Sequence, residues 1–150
     1  MLRDARTLHG SSLSQSGMAL AAAQCGLLDE SVDCFMRAAR ADLDCVRPDA
    51  ALGVHLACYA VLWETVVFGY AGLEFHDDFI AFNPRVPRQF GPFSFNFSWH
   101  GSRFTVMLSQ GSLTVSSVID NGKPVVVSCG LADRLKLNPG EEYCRKISPL

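Results

Sequence analysis

The hydrophobic pattern changes period near residue 72. Before it, apolar residues recur at helical spacing; after it, they come in short alternating runs broken by turn residues. Ser12 or Ser14 predicts a helix through Gln24, because a serine oxygen accepts an orphan amide of the first turn, and Gly26 predicts its end. Asp29 predicts the cap of a second helix. There Val32, Phe35, Met36 and Ala39 fall on one face, and Asp33, Arg37 and Arg40 on a wetter one. The short link predicts an antiparallel pair. Residues 44–49 contain Pro48 and read as a loop, with Asp49 capping a third helix over about 50–69 that is apolar all round and so expected to be buried.

Beyond Gly72, segments 73–75 and 79–82 flank His76-Asp77-Asp78 as a hairpin, and Pro84 and Pro87 mark a loop or an edge. Phe93, Phe95, Phe97 and Trp99 alternate with Ser94, Asn96 and Ser98, which predicts a strand with a buried aromatic face. Segments 103–109, 112–119 and 124–128 continue a meander, and 134–137 pairs with 143–147 around Asn138-Pro139-Gly140. The expected fold class is α+β, with helices over 1–72 and a small antiparallel β-sandwich over 73–150. Three helices make a thin core, and the apolar third helix calls for further protein to cover it.

Composition narrows the function classes. With 49% hydrophobic and 19% charged residues the chain can build a core and is not a disordered segment. A net charge of −2 without a basic stripe argues against nucleic acid and against an anionic membrane surface. Of the six cysteines, Cys25, Cys34 and Cys58 sit in helical segments and no CxxC occurs, so reduced, buried thiols are expected, and no zinc site. Residues 17–28 faintly resemble a lipoprotein signal, but Gln24 precedes Cys25 where a small residue belongs, so a cytoplasmic location is expected. Residues 50–73 are long enough for a bilayer but carry His55 and Glu64.

Candidate chemistry lies in two places. In His9-Gly10-Ser11-Ser12-Leu13-Ser14, serine hydroxyls follow a glycine at a helix start. That serves as an N-cap or as an oxyanion pocket lined by Ser11 and Ser12, with His9 and Gly10 beside them. His55 follows Gly53 and Val54 in an apolar stretch; it is a satisfied core residue or a donor to an anion shared with the serines. Glu64 is the one acid inside the long apolar run, while Asp42, Asp44, Asp77 and Asp78 read as loop acids. No pair of carboxylates suggests glycoside hydrolysis, and no GxSxG, HExxH or phosphate loop occurs.

Five stretches in order, TLHGSSLS, CFMRAARADLD, GVHLA, GYAGLEF and FNPRVPRQFGPFSFNFSWHGSRFTVML, resemble the carboxy-terminal end of glycoside hydrolase family 65. That family includes the maltose, kojibiose, nigerose and trehalose phosphorylases. The resemblance implies the last helices of an (α/α)6 barrel followed by a small β-sandwich. It implies cleavage of an α-glucosidic bond by inorganic phosphate with inversion, giving β-glucose 1-phosphate. Ser11, Ser12 and His55 then bind phosphate, which is a co-substrate, with no further cofactor and no metal. A histidine at that place implies phosphorolysis rather than hydrolysis. The general-acid Glu of the family lies upstream of the serine motif, so the resemblance leaves no catalytic residue in these 150 positions and implies no turnover by them alone. The implied partners are an α-linked disaccharide, phosphate, and either the missing barrel chain or a second copy. After GVHLA, Cys58-Tyr59-Ala60-Val61-Leu62 is bulkier than the small-residue stretch usual in the family. The alternative reading is a stand-alone structural or carbohydrate-binding sandwich, with Trp99 or Phe93 stacking on sugar rings.

Overall fold

The computed structural model describes residues 11, 13–44, 53–130 and 133–147. It divides into two compact units, Met1–Tyr70 and Ala71–Leu150.

The first unit holds α1 (Leu13–Gln24), α2 (Leu28–Arg40) and α3 (Leu56–Glu64), the last continuing as a π-helical segment, Thr65–Tyr70. Gly26, at φ 77°, ends α1: Leu27 N–H donates to Ala22 O at 2.9 Å and Gly26 N–H to Ala23 O at 3.0 Å. This is a Schellman turn, which satisfies carbonyls that the helix end would otherwise orphan. The chain passes from it directly into α2, so Leu27 takes the N-cap position without a side-chain cap. Asp29, expected at the cap, instead lies with Glu30 in the first turn, where the helix dipole favours negative charge.

The buried face of α2 is Ser31, Val32, Cys34 and Ala38. Met36, expected on that face, is 46% exposed. The face is rotated because a polar residue anchors it. Ser31 Oγ donates to Ala19 O at 2.7 Å and lies 3.0 Å from the Tyr70 hydroxyl. With the serine proton spent on Ala19, the tyrosine must be the donor to Ser31. One hydroxyl thus joins α1, α2 and the π-helical segment. Gly69 belongs to the same contact: a Cβ there would come within 2.8 Å of Ala23 Cβ.

The third helix starts later than its apolar pattern suggests. Gly53 has φ 144° and His55 is a non-helical N-cap, while Asp49, the expected cap, lies outside the described residues. Nor is α3 buried all round: Cys58 and Leu62 are buried, but Leu56 is 75% and Trp63 51% exposed. The described cysteines form no disulfide with one another, and Cys25 and Cys144 are exposed rather than buried. Among the described residues no helix is long and apolar enough to cross a membrane.

The second unit has eight strands: β1 (Leu73–Phe75), β2 (Phe79–Phe82), β3 (Phe93–Trp99), β4 (Ser102–Leu108), β5 (Ser112–Ser117), β6 (Val125–Cys129), β7 (Arg134–Leu137) and β8 (Glu142–Lys146). They form two four-stranded sheets, β1-β2-β6-β7 and β3-β4-β5-β8. Two expectations are corrected here. β6 leaves the meander and pairs in parallel with β2, and β7 and β8 go to different sheets instead of pairing with each other. The turn after β5 contributes to the switch. Asn121, buried, accepts Arg103 N–H at 2.7 Å and donates to Arg103 O and Ser117 Oγ, both at 2.8 Å. Its amide occupies the place of a backbone partner and ends the β4–β5 ladder. The aromatic face of β3 is half-buried, because β3 is an edge strand. Phe97 still meets Phe104 at 5.1 Å, Phe75 at 5.8 Å and Phe82 at 6.5 Å between ring centroids, so this half-buried ring touches aromatic residues of both sheets.

Gly72, at φ 60°, has no room for a side chain, since a Cβ would overlap the backbone of Asn83. Gly72→Ala is therefore expected to destabilise the chain by about 2–4 kcal/mol in urea unfolding. Ser31→Ala removes the buried hydrogen bonds that Ser31 makes to Ala19 and Tyr70 and is expected to cost about 1–3 kcal/mol in the same measurement.

Candidate functional site

The candidate site is organised at the start of α3. His55 is held on three sides by its own backbone and ring. Its carbonyl accepts Cys58 N–H at 2.9 Å and so begins the helix. Its backbone N–H donates to Asp42 Oδ2 at 2.8 Å, and its ring Nδ1 lies 2.5 Å from Asp42 Oδ1. Both oxygens of one carboxylate thus engage a single residue. The Tyr59 hydroxyl, one turn along α3, interacts electrostatically with the same carboxylate.

Asp42 follows the end of α2, in the turn after Arg40, and its side chain is only 11% exposed, against 21% for His55. The neighbouring acid is employed differently: Asp44 takes both its oxygens to Arg40, at 2.8 and 2.7 Å. The bond from the His55 backbone N–H, then the one from its ring, hold the Asp42 carboxyl below its ordinary range, against the opposing effect of burial. An ionised carboxylate only accepts hydrogen bonds, so Nδ1 carries the proton in this contact. Burial, followed by the nearby Asp42 carboxylate, raises the Tyr59 hydroxyl above its ordinary value.

Of the residues singled out in the sequence, Ser11 lies exposed just before α1, and its Oγ accepts Leu13 N–H at 3.2 Å, in the manner of a cap. His9, Gly10 and Ser12 lie outside the described residues. The described hydrogen bonds keep Ser11 within its own helix start and give His55 to Asp42; they do not join the two. Glu64 is half-buried at the end of α3. Asp42, read from the sequence as a loop acid, is the partner of His55. One signal was available: a carboxylate just past a helix carboxy-terminus faces the negative end of the dipole and needs a separate partner. Arg40 answers for Asp44, which leaves Asp42 to be explained. Among the described residues no group of three His, Cys, Asp or Glu is placed to hold a metal ion.

Two family models match the chain. The glycosyl hydrolase family 65 central catalytic domain covers residues 3–64, and the C-terminal domain of the same family covers 73–130. The chain belongs to glycosyl hydrolase family 65. It is 31% identical over 121 residues to the alpha,alpha-trehalose phosphorylase of Thermoanaerobacter brockii, covering 81% of this chain and 15% of that protein. It is 31% identical over 110 residues to the kojibiose phosphorylase of Escherichia coli K12, covering 73% and 15%. A solved structure described as a candidate kojibiose phosphorylase from the human microbiome superposes with a TM-score of 0.79 at 25% identity, over 97% of this chain and 21% of that one. The chain therefore spans about 15% of the length of the curated relatives it matches.

The Asp42 tether sets an acid dependence. Its folded-state pKa is lowered, so its contribution is complete above the ordinary value near 3.8 and is lost as the pH falls through the lower folded value. Asp42→Asn is expected to be less stable than wild type at pH 7, with the gap narrowing as the pH drops below 3.8. Urea unfolding of both proteins across that range checks this; a gap that does not change with pH would contradict it.

Proposed function

We propose that residues 1–72 are the last helices of an (α/α)6 barrel and residues 73–150 the β-sandwich that follows it, in an inverting α-glucoside phosphorylase. Ser11, Ser12 and His55 hold inorganic phosphate in that enzyme. Phosphate attacks the anomeric carbon in a single displacement; the new C–O bond forms as the glycosidic bond breaks, and the configuration inverts. A general acid from another part of the barrel protonates the leaving oxygen. The products are β-glucose 1-phosphate and the free acceptor sugar. Trehalose, kojibiose and maltose are the candidate substrates, because the relatives that the chain resembles are phosphorylases of those sugars.

The observation that carries this reading is the held state of His55. A core histidine needs one partner for its buried proton. Here a single carboxylate takes both the backbone N–H and the ring, which leaves the far edge of the ring oriented. Such placement suits a residue that must meet a ligand at a set angle. The exposed Leu56 and Trp63 are, on this reading, surface that the remaining barrel helices or a second copy of the chain would cover.

A ligand that binds only the folded chain raises its stability by RT ln(1 + [L]/Kd), about 2.7 kcal/mol at a hundred times Kd. Phosphate is expected to raise the Tm of the wild-type chain, and this rise should shrink in Ser11→Ala/Ser12→Ala and in His55→Gln. Phosphate also stabilises proteins by exclusion from their surface, which would raise all three equally; an equal rise contradicts the site. The 150 residues alone, given phosphate and trehalose, kojibiose or maltose, are expected to release no glucose 1-phosphate, because leaving-group protonation and sugar positioning are absent.

A further inference from the structure

We infer that Asp42 is the positioning residue of this site: its carboxylate holds His55 as the Nδ1–H tautomer and turns Nε2 toward the anion. The orientation of the ring stands on geometry alone; the anion rests on the phosphate reading above.

One carboxylate makes two bonds to one residue. Asp42 Oδ2 accepts the His55 backbone N–H at 2.8 Å, and Oδ1 meets Nδ1 at 2.5 Å. Backbone, side chain and carboxylate close a hydrogen-bonded ring, which restricts how the His55 imidazole can turn. Asp44 does not compete, since Arg40 engages both of its oxygens.

Tautomer follows from the same geometry. Which imidazole nitrogen carries the proton is decided by the hydrogen bond that the other ring position makes. With an acceptor at Nδ1, the neutral ring has its lone pair on Nε2, and the protonated ring has an N–H there. Monohydrogen phosphate offers both a P–OH donor and unprotonated oxygens, so either state of Nε2 has a matching partner. A ring already fixed in place also gives up less conformational freedom when the anion binds. Asp42 does not touch phosphate in this scheme; it acts through His55.

The test uses the 150-residue chain with ring-15N histidine and His55→Gln to assign the signal. In the wild type, neutral His55 is expected to be protonated at Nδ1, and inorganic phosphate is expected to shift its ring resonances. In Asp42→Asn the proton should move wholly or partly to Nε2. The phosphate Kd should rise about tenfold, by analogy with metal sites, where loss of the group that orients a ligating histidine costs about ten- to a hundredfold. Asp44→Asn, which breaks only the pair with Arg40, should leave both readouts at wild-type values. Nε2–H in the wild type overturns the inference, as does a folded Asp42→Asn with unchanged tautomer and unchanged phosphate affinity. If Asp42→Asn does not fold, the wild-type tautomer alone decides. If the variant switches tautomer while phosphate leaves wild-type His55 unmoved, the phosphate reading fails and the tether stands.

Discussion

An ionised carboxylate can only accept, and the helical unit is arranged around one that collects two donors from a single residue. Asp42 receives the backbone N–H of His55 and its ring N–H. These bonds tie the turn after α2 to the first turn of α3 across 13 positions of sequence. They also explain why α3 starts where it does. With its N–H committed to Asp42, His55 stands outside the helix, and its carbonyl receives the first helical amide. A nearly buried carboxylate is costly unless its oxygens are satisfied, and here they are.

The rest of the unit keeps these parts in register. The Schellman turn at Gly26 brings α2 straight back along α1. Ser31 joins both helices to Tyr70 in the π-helical segment. A π-helical turn is wider than an α-turn and changes which residues face a neighbour. In this chain it presents Gly69 to Ala23 in a contact too close for any larger residue. The end of α2, and with it Asp42, is thereby fixed relative to α3. In the second unit Asn121 has the corresponding role, ending one ladder so that the chain can enter the other sheet.

Local features were legible in the sequence, and long-range ones were not. The alternation from Phe93 to Trp99, the stop at Gly26 and the change of character near residue 72 are set by near neighbours, and they stand in the structure. Pairing is different. Nothing near 125–129 in sequence says that its parallel partner is β2, or that β7 and β8 part company, because those choices rest on contacts made tens of residues away. The face of α2 was misjudged at Met36 because hydrophobic period alone cannot foresee a buried serine that anchors a helix. His55 was legible as a candidate, since a polar ring in an apolar stretch calls for a reason. Asp42 was not, because a loop acid looks the same whether it meets water or a histidine 13 residues on.

On the proposed reading, the serines before α1 and the tethered histidine before α3 hold one phosphate. Diffraction from crystals grown with arsenate, a phosphate mimic with a strong anomalous signal, tests it most directly. The account predicts an anomalous peak within hydrogen-bonding distance of the Ser11 and Ser12 hydroxyls and of His55 Nε2, with Nδ1 still on Asp42. A peak elsewhere, no peak at saturating arsenate, or an arsenic bound with His55 turned away from Asp42 would contradict it.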